Sequence, residues 1–173
     1  MSELIIRWAD YQDWFQLGLV SSESYRETYS GIIPDTYLNS FSIENRQTHY
    51  KRVLLEDAKT IAILLVNNKA AGYIEFGMNK DTDLDNTYGE VYNIYTLKRY
   101  WGNGYGKQLI TWGIDRLHEA GYSNVSLWVL KENTSAKSFY EHLGFINDGL
   151  ERTITREKEL IQLRYSKRLD ENN

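Results

Sequence analysis

Apolar and polar positions along the chain alternate between two periods, and the switches between them mark the elements. Leu4 to Trp8 reads as a first strand, and from about Tyr11 to Glu56 apolar residues recur at helical spacing with breaks at Gly31 and Pro34. Thr60 to Val66, an Asn67-Asn68 turn and Lys69 to Phe76 predict a hairpin. Gly77 to Thr87 is polar, carrying Asp81-Thr-Asp-Leu-Asp-Asn86, and is expected to be a mobile loop before a fourth strand at Tyr88 to Leu97. A helix is predicted from near Tyr105, with Leu109, Ile110, Gly113, Ile114 and Leu117 on one stripe and an end at Gly121. Ser123 to Val129 is again a strand, with Val125, Leu127 and Val129 sharing a face. Asn133 or Thr134 caps a further helix whose Ala136, Phe139, Tyr140 and Leu143 recur at helical spacing before Gly144. Leu150 to Lys167 is charged enough for a helix. Yet Ile161, Leu163 and Tyr165 alternate with Gln162, Arg164 and Ser166, which favours a strand. Residues 168 to 173 read as a frayed tail.

The order of elements, one helical region before a hairpin and alternating strands and helices after it, predicts one α/β domain over residues 1–173. That length is enough to bury most of its apolar surface. The chain has no cysteine, which excludes disulfides and thiolate metal sites and suits a reducing cytoplasm. Ile61 to Val66, the longest apolar run, is far too short to span a membrane, and Met1 to Ile6 does not resemble a secretory signal. With 20 basic and 24 acidic residues there is no basic footprint for nucleic acid or anionic lipid. A soluble, cytoplasmic protein is the expectation. His49, His118 and His142 show no metal-ligand spacing.

The chemistry concentrates in Arg99-Tyr-Trp-Gly-Asn-Gly-Tyr-Gly-Lys-Gln-Leu-Ile110, between the fourth strand and the following helix. Glycines at 102, 104 and 106 let successive backbone N–H groups converge, and the helix aims its positive dipole end at the same point. Such a nest binds a phosphate-bearing ligand. A dinucleotide fingerprint would need glycine at Lys107 or Leu109. A P-loop on Gly106-Lys107 would need glycine at Trp101 and Ser or Thr at Gln108. Neither nucleotide motif fits.

The loop resembles the pyrophosphate loop of the GNAT N-acetyltransferases, Gln/Arg-x-x-Gly-x-Gly/Ala. In the register of the helix the motif falls on Trp101 to Gly106, with Gly104 and Gly106 matching and Trp101 in the Gln/Arg slot. Leu130-Lys-Glu-Asn-Thr-Ser-Ala-Lys-Ser-Phe-Tyr-Glu-His-Leu-Gly-Phe145 resembles a second segment of the family, Asn-x-x-Ala-x-x-Phe-Tyr-Glu-x-x-Gly-Phe. Ser24 to Leu38 is similar to the first-helix region of a bacterial subgroup. The resemblance implies the GNAT fold, a mixed, mostly antiparallel central sheet flanked by helices, with a closing hairpin as last element. It also implies transfer of acetyl from acetyl-CoA to an amine by direct attack, without a metal. The acceptor would be a small-molecule amine or a protein N-terminus, and a homodimer is a common family arrangement.

Acetyl transfer to an amine needs a base, an oxyanion donor and an acid for the leaving thiolate. A primary ammonium titrates near ~10.4, so its proton must be taken directly or through water. Glu90, eleven residues before Trp101, stands at the offset where some family members carry a glutamate base; an exposed strand glutamate without a role is the alternative. By resemblance Tyr140 is the acid, and the main chains of Ile94, Tyr95 and Thr96 pair with pantetheine and supply the oxyanion donor. The cofactor set implied in the same way is Trp101, Gly102, Asn103, Gly104, Tyr105, Gly106 and Lys107 in the loop, with Asn133, Ala136 and Phe139 beyond it. Tyr25, Arg26 and Tyr29, with Asp35 and Tyr37, are the implied acceptor residues, each of which could instead be cap packing. A non-catalytic acyl-CoA-binding module is the rival reading. Many relatives place a proline where this chain has Lys98.

Overall fold

The computed structural model describes residues 3–56 and 59–169. Strand β1 (Leu4–Trp8) leads through a one-turn 3-10 segment into the helices α1 (Trp14–Tyr29), α2 (Asp35–Ser40) and α3 (Ile43–Val53). Strands β2 (Ile61–Val66), β3 (Lys69–Met78) and β4 (Tyr88–Thr96) follow, then α4 (Tyr105–Glu119), β5 (Asn124–Leu130), α5 (Thr134–His142), β6 (Ile146–Thr155) and β7 (Glu159–Arg168). Among the described residues these make one seven-stranded sheet of order β1-β2-β3-β4-β5-β7-β6. Every pairing is antiparallel except β4 with β5. No helix of the described residues is long and apolar enough to cross a membrane.

Both faces of the sheet are covered, and β2 shows it in its sequence. All six of its residues are buried: Ala62, Leu64 and Val66 join the core under α4 and α5, while Ile61, Ile63 and Leu65 join the core under α1 and α3. An unbroken apolar run is what a strand between two helical layers requires. The predicted stripe of α4 is the buried one, Leu109, Ile110, Gly113 and Leu117. At Gly113 a Cβ would stand 2.6 Å from Ile74 Cδ1, so with any larger residue the Ile74 side chain would have to shift for α4 to lie this close to β3.

Two expectations need correction. The polar stretch from Gly77 to Thr87 is tied down, with β3 running on to Met78, Asp81 and Asp83 gathered by Arg164, and Asp85 accepting from Thr87. That guanidinium, 5% exposed, donates to Asp83 at 2.7 and 2.8 Å, to Asp148 at 2.6 Å and to Asp81 at 3.3 Å. Trp128 Nε1 donates to Asp81, and Asn79 Nδ2 donates to Ser126 Oγ. A buried cation needs such compensation, and the loop together with Asp148 of β6 supplies it. The tail also starts later than expected. Arg168 closes β7 and Leu169 packs in the core, while residues 170–173 lie outside the described residues.

Candidate active site

The site begins where two strands part. β4 pairs with β5 from Tyr88 to Val91, opposite Asn124 to Leu127, and then leaves it. β5 keeps β7 as far as Leu130, and β4 keeps β3 as far as Thr96. The divergence starts at a bulge: Val91 opposes Phe76 and Asn93 opposes Glu75, so Tyr92 is the extra residue. Leu97 donates its N–H to Ala71 O at 2.9 Å, which sets the alternation of the antiparallel ladder. Tyr95, two residues earlier, spends its peptide groups on β3 in the same way, whereas those of Ile94 and Thr96 turn toward the gap left by β5. Of the three main chains implied by resemblance, Ile94 and Thr96 therefore have groups to offer and Tyr95 does not.

The gap opens into a cleft of about 900 Å³ that β4, β5, α1, α4 and α5 line together. At one end is the glycine loop. Gly102 and Gly104 take positive φ, 78° and 76°, and the space a Cβ would fill at each is open. Gly104 is the N-cap of α4, and the first intrahelical donor to its carbonyl is Gln108 N. The N–H groups of Tyr105, Gly106 and Lys107 have no partner inside the helix and point out of its positive end. A pyrophosphate fits this cradle by charge and by donor number.

Two departures from the family pattern have physical accounts. Trp101, in the slot usually held by Gln or Arg, donates its indole N–H to Thr96 O at 2.9 Å and so ties the loop to the end of β4. Lys98, where relatives carry proline, donates its backbone N–H to Glu27 Oε2 at 2.7 Å, a bond that proline could not make. The Asn103 side chain bonds back to Tyr100 O and Trp101 O, and Asn103 does not line the cleft.

Along the opposite wall, Asn133 caps α5 by accepting from Ala136 N at 3.1 Å. That start sets Ala136, Phe139 and Tyr140 toward the cleft, Phe139 lying against Gly106 of α4. Tyr140 is 9% exposed, and its hydroxyl has no hydrogen-bond partner among the described residues. Burial pushes the phenol well above its ordinary value, so at neutral pH it holds its proton.

The side of the cleft nearer the helical cap is aromatic. Tyr29 lines it, and its hydroxyl lies 2.9 Å from that of Tyr95. Burial raises the Tyr29 phenol to about 12. Tyr25 sits behind, stacked on Phe41 and edge-on to Tyr29, without lining the cleft. Arg26 faces a separate shallow groove with Glu23 and Lys98, and Asp35 and Tyr37 also lie away from the cleft. Glu90 is placed where β4 and β5 are still paired. It is buried, accepts from Lys80 N at 2.9 Å and does not line the cleft, and burial raises its carboxyl above the usual range. Asn93 and Trp128 do line it, and sequence reasoning missed both. Asn93 had a signal, since it directly precedes Ile94 on the strand that faces the loop.

The family model for the Acetyltransferase (GNAT) family matches residues 22–145. The chain belongs to the GNAT acetyltransferase family. Membership makes it an acetyl-CoA-dependent N-acetyltransferase. It is 29% identical over 132 residues to the uncharacterized N-acetyltransferase YuaI of Bacillus subtilis, covering 75% of this chain and 73% of that one. In fold it is similar to the PaiA N-acetyltransferase of Thermoplasma acidophilum in complex with coenzyme A (TM-score 0.75, 22% identity, 96% of this chain and 99% of that one). It is similar too to the ribosomal-protein-S18-alanine N-acetyltransferase of Escherichia coli (TM-score 0.69, 17% identity, 99% of each chain). The GNAT fold, with its mostly antiparallel sheet and flanking helices, is the one expected from the sequence.

Proposed function

We propose that this GNAT acetyltransferase acetylates a primary amine of a small molecule or a protein N-terminus, with Tyr140 as the general acid. The observation that carries the reading is the parting of β4 and β5, because unpaired strand peptides, the α4 N-terminus and Tyr140 lie around one cleft. Bound acetyl-CoA supplies the activated acetyl group as a thioester. Gly102, Gly104 and the first N–H groups of α4 would hold its pyrophosphate, and the Ile94 and Thr96 peptides would pair with the pantetheine arm. A free strand N–H beside the carbonyl also donates to negative charge that develops on oxygen. Tyr140 gives its proton to the departing thiolate, a role that a phenol held protonated by burial can fill.

Glu90 accepts the amine proton through water, since its carboxylate is not at the cleft surface. Its raised affinity for a proton brings it closer to the working pH than an exposed glutamate would be. The base must be ionised, so the rate should rise with pH through the raised carboxyl value, and in Glu90→Gln that limb of the pH profile should vanish. A limb unchanged in the variant would remove Glu90 from the mechanism. Tyr140→Phe is expected to lower kcat by roughly a hundredfold with coenzyme A affinity unchanged. Thiol release under saturating amine and calorimetric binding measure the two, and an unaltered kcat would refute the acid assignment.

A further inference from the structure

We infer that Asn93 holds the attacking amine through its side-chain oxygen, and that Glu75 is the positioning residue that turns this oxygen into the cleft. The inference rests on the proposed amine acetylation and names a part of it that no family motif in this chain carries.

Asn93 is the first residue beyond the Tyr92 bulge and lines the cleft. It stands opposite Glu75 in the β3–β4 register, and its Nδ2 donates to Glu75 Oε2 at 2.6 Å. A carboxylate only accepts, so the amide nitrogen must face it and the orientation of the amide is fixed chemically. Glu75 is itself clamped, because Oε1 accepts from the hydroxyl of the fully buried Tyr50 at 3.0 Å. Arg46 donates to that same hydroxyl at 3.3 Å. With Nδ2 occupied, Asn93 has Oδ1 to offer, and among the described residues nothing donates to it.

Transfer from a carbonyl to an amine requires a hydrogen-bond acceptor for an amine N–H next to a donor for the carbonyl oxygen. β4 supplies both within four residues, Asn93 to Thr96. Asn93 Oδ1 lies on the face of the sheet toward the cap, and the free peptide N–H groups of Ile94 and Thr96 lie in the gap between the strands. A neutral primary amine can give one N–H to Asn93 and keep its lone pair for attack. Glu75 does not take this part directly, since it does not line the cleft.

The test is steady-state kinetics with the best amine of a panel, reading amine KM, acetyl-CoA KM and kcat for the wild type and four variants. Asn93→Ala is expected to raise amine KM by roughly tenfold, the effect of one lost hydrogen bond to substrate, with acetyl-CoA KM unchanged. Glu75→Ala should reproduce that rise, and Glu75→Gln, which keeps an oxygen for Asn93 Nδ2, should recover most of it. Tyr50→Phe should fall between wild type and Glu75→Ala. Melting temperature and coenzyme A affinity check the fold, and if Glu75→Ala does not fold, Asn93→Ala and Glu75→Gln decide. An amine KM for Asn93→Ala equal to that of the wild type would overturn the inference, as would Glu75→Gln no better than Glu75→Ala. Both leave the acetylation reading standing. A wild type silent with every amine would overturn that reading and this assignment together.

Discussion

At the scale of single residues, the loop works because of what its glycines permit and what its two unusual residues replace. Gly104 holds a left-handed conformation as the N-cap of α4 and faces open space, where the proposed cradle would receive a phosphate. Gly104→Val should therefore cost about 1–2 kcal/mol of folding stability from backbone strain alone. It should also weaken coenzyme A binding by roughly tenfold or more, through loss of the aligned donors. Chemical denaturation and calorimetry check these separately, and full affinity in the variant would show that the loop is not the phosphate cradle. The sequence made the glycines legible because backbone freedom is written in residue type. It did not reveal that Trp101 reaches Thr96 O or that Lys98 N–H is needed by Glu27. Both bonds depend on where β4 ends and α1 lies.

At the scale of elements, the divergence of β4 from β5 opens the cleft, and the braced loop between β3 and β4 holds one residue of its wall, Trp128. Hydrophobic periodicity located both strands, but pairing partners are not encoded in periodicity, so the bulge at Tyr92 could be expected only by resemblance. The loop was misread because its counter-ion, Arg164, lies some eighty residues further along the chain. Hydrogen bonding to Arg164 holds the Asp83 carboxyl below its usual value. A carboxyl depressed in the folded state stabilises at pH above its ordinary value, and that stabilisation is lost as pH falls through the depressed one. The loop should therefore stay braced through neutral pH and release only in acid, below about 4. Trp128 reports on it through its bond to Asp81. Its emission, isolated as the difference from Trp128→Phe, should change in that acid range in the wild type and should already show the released value at neutral pH in Arg164→Gln. Emission in Arg164→Gln identical to wild type at neutral pH would contradict the bracing.

At the scale of the whole molecule, the sheet separates two jobs. The face under α4 and α5 carries the glycine cradle and Tyr140, the face under the cap carries the aromatic wall and Asn93, and the gap between β4 and β5 joins them. The cradle and the Tyr140 segment could be read from sequence because each is a local run of residues. The cap face could not, because it is assembled from α1, α3, β3 and β4, and Tyr50, Glu75 and Asn93 meet only once the sheet forms. The central claim is that this cleft moves an acetyl group to an amine with Tyr140 as the acid. The most direct test is thiol release from acetyl-CoA across a panel of amines, in the wild type and in Tyr140→Phe. The chain has no cysteine and so contributes no thiol of its own. The account predicts release that depends on one class of amine and is lost in the variant while coenzyme A still binds. Release that is equal in both proteins, or absent with every amine, would contradict it.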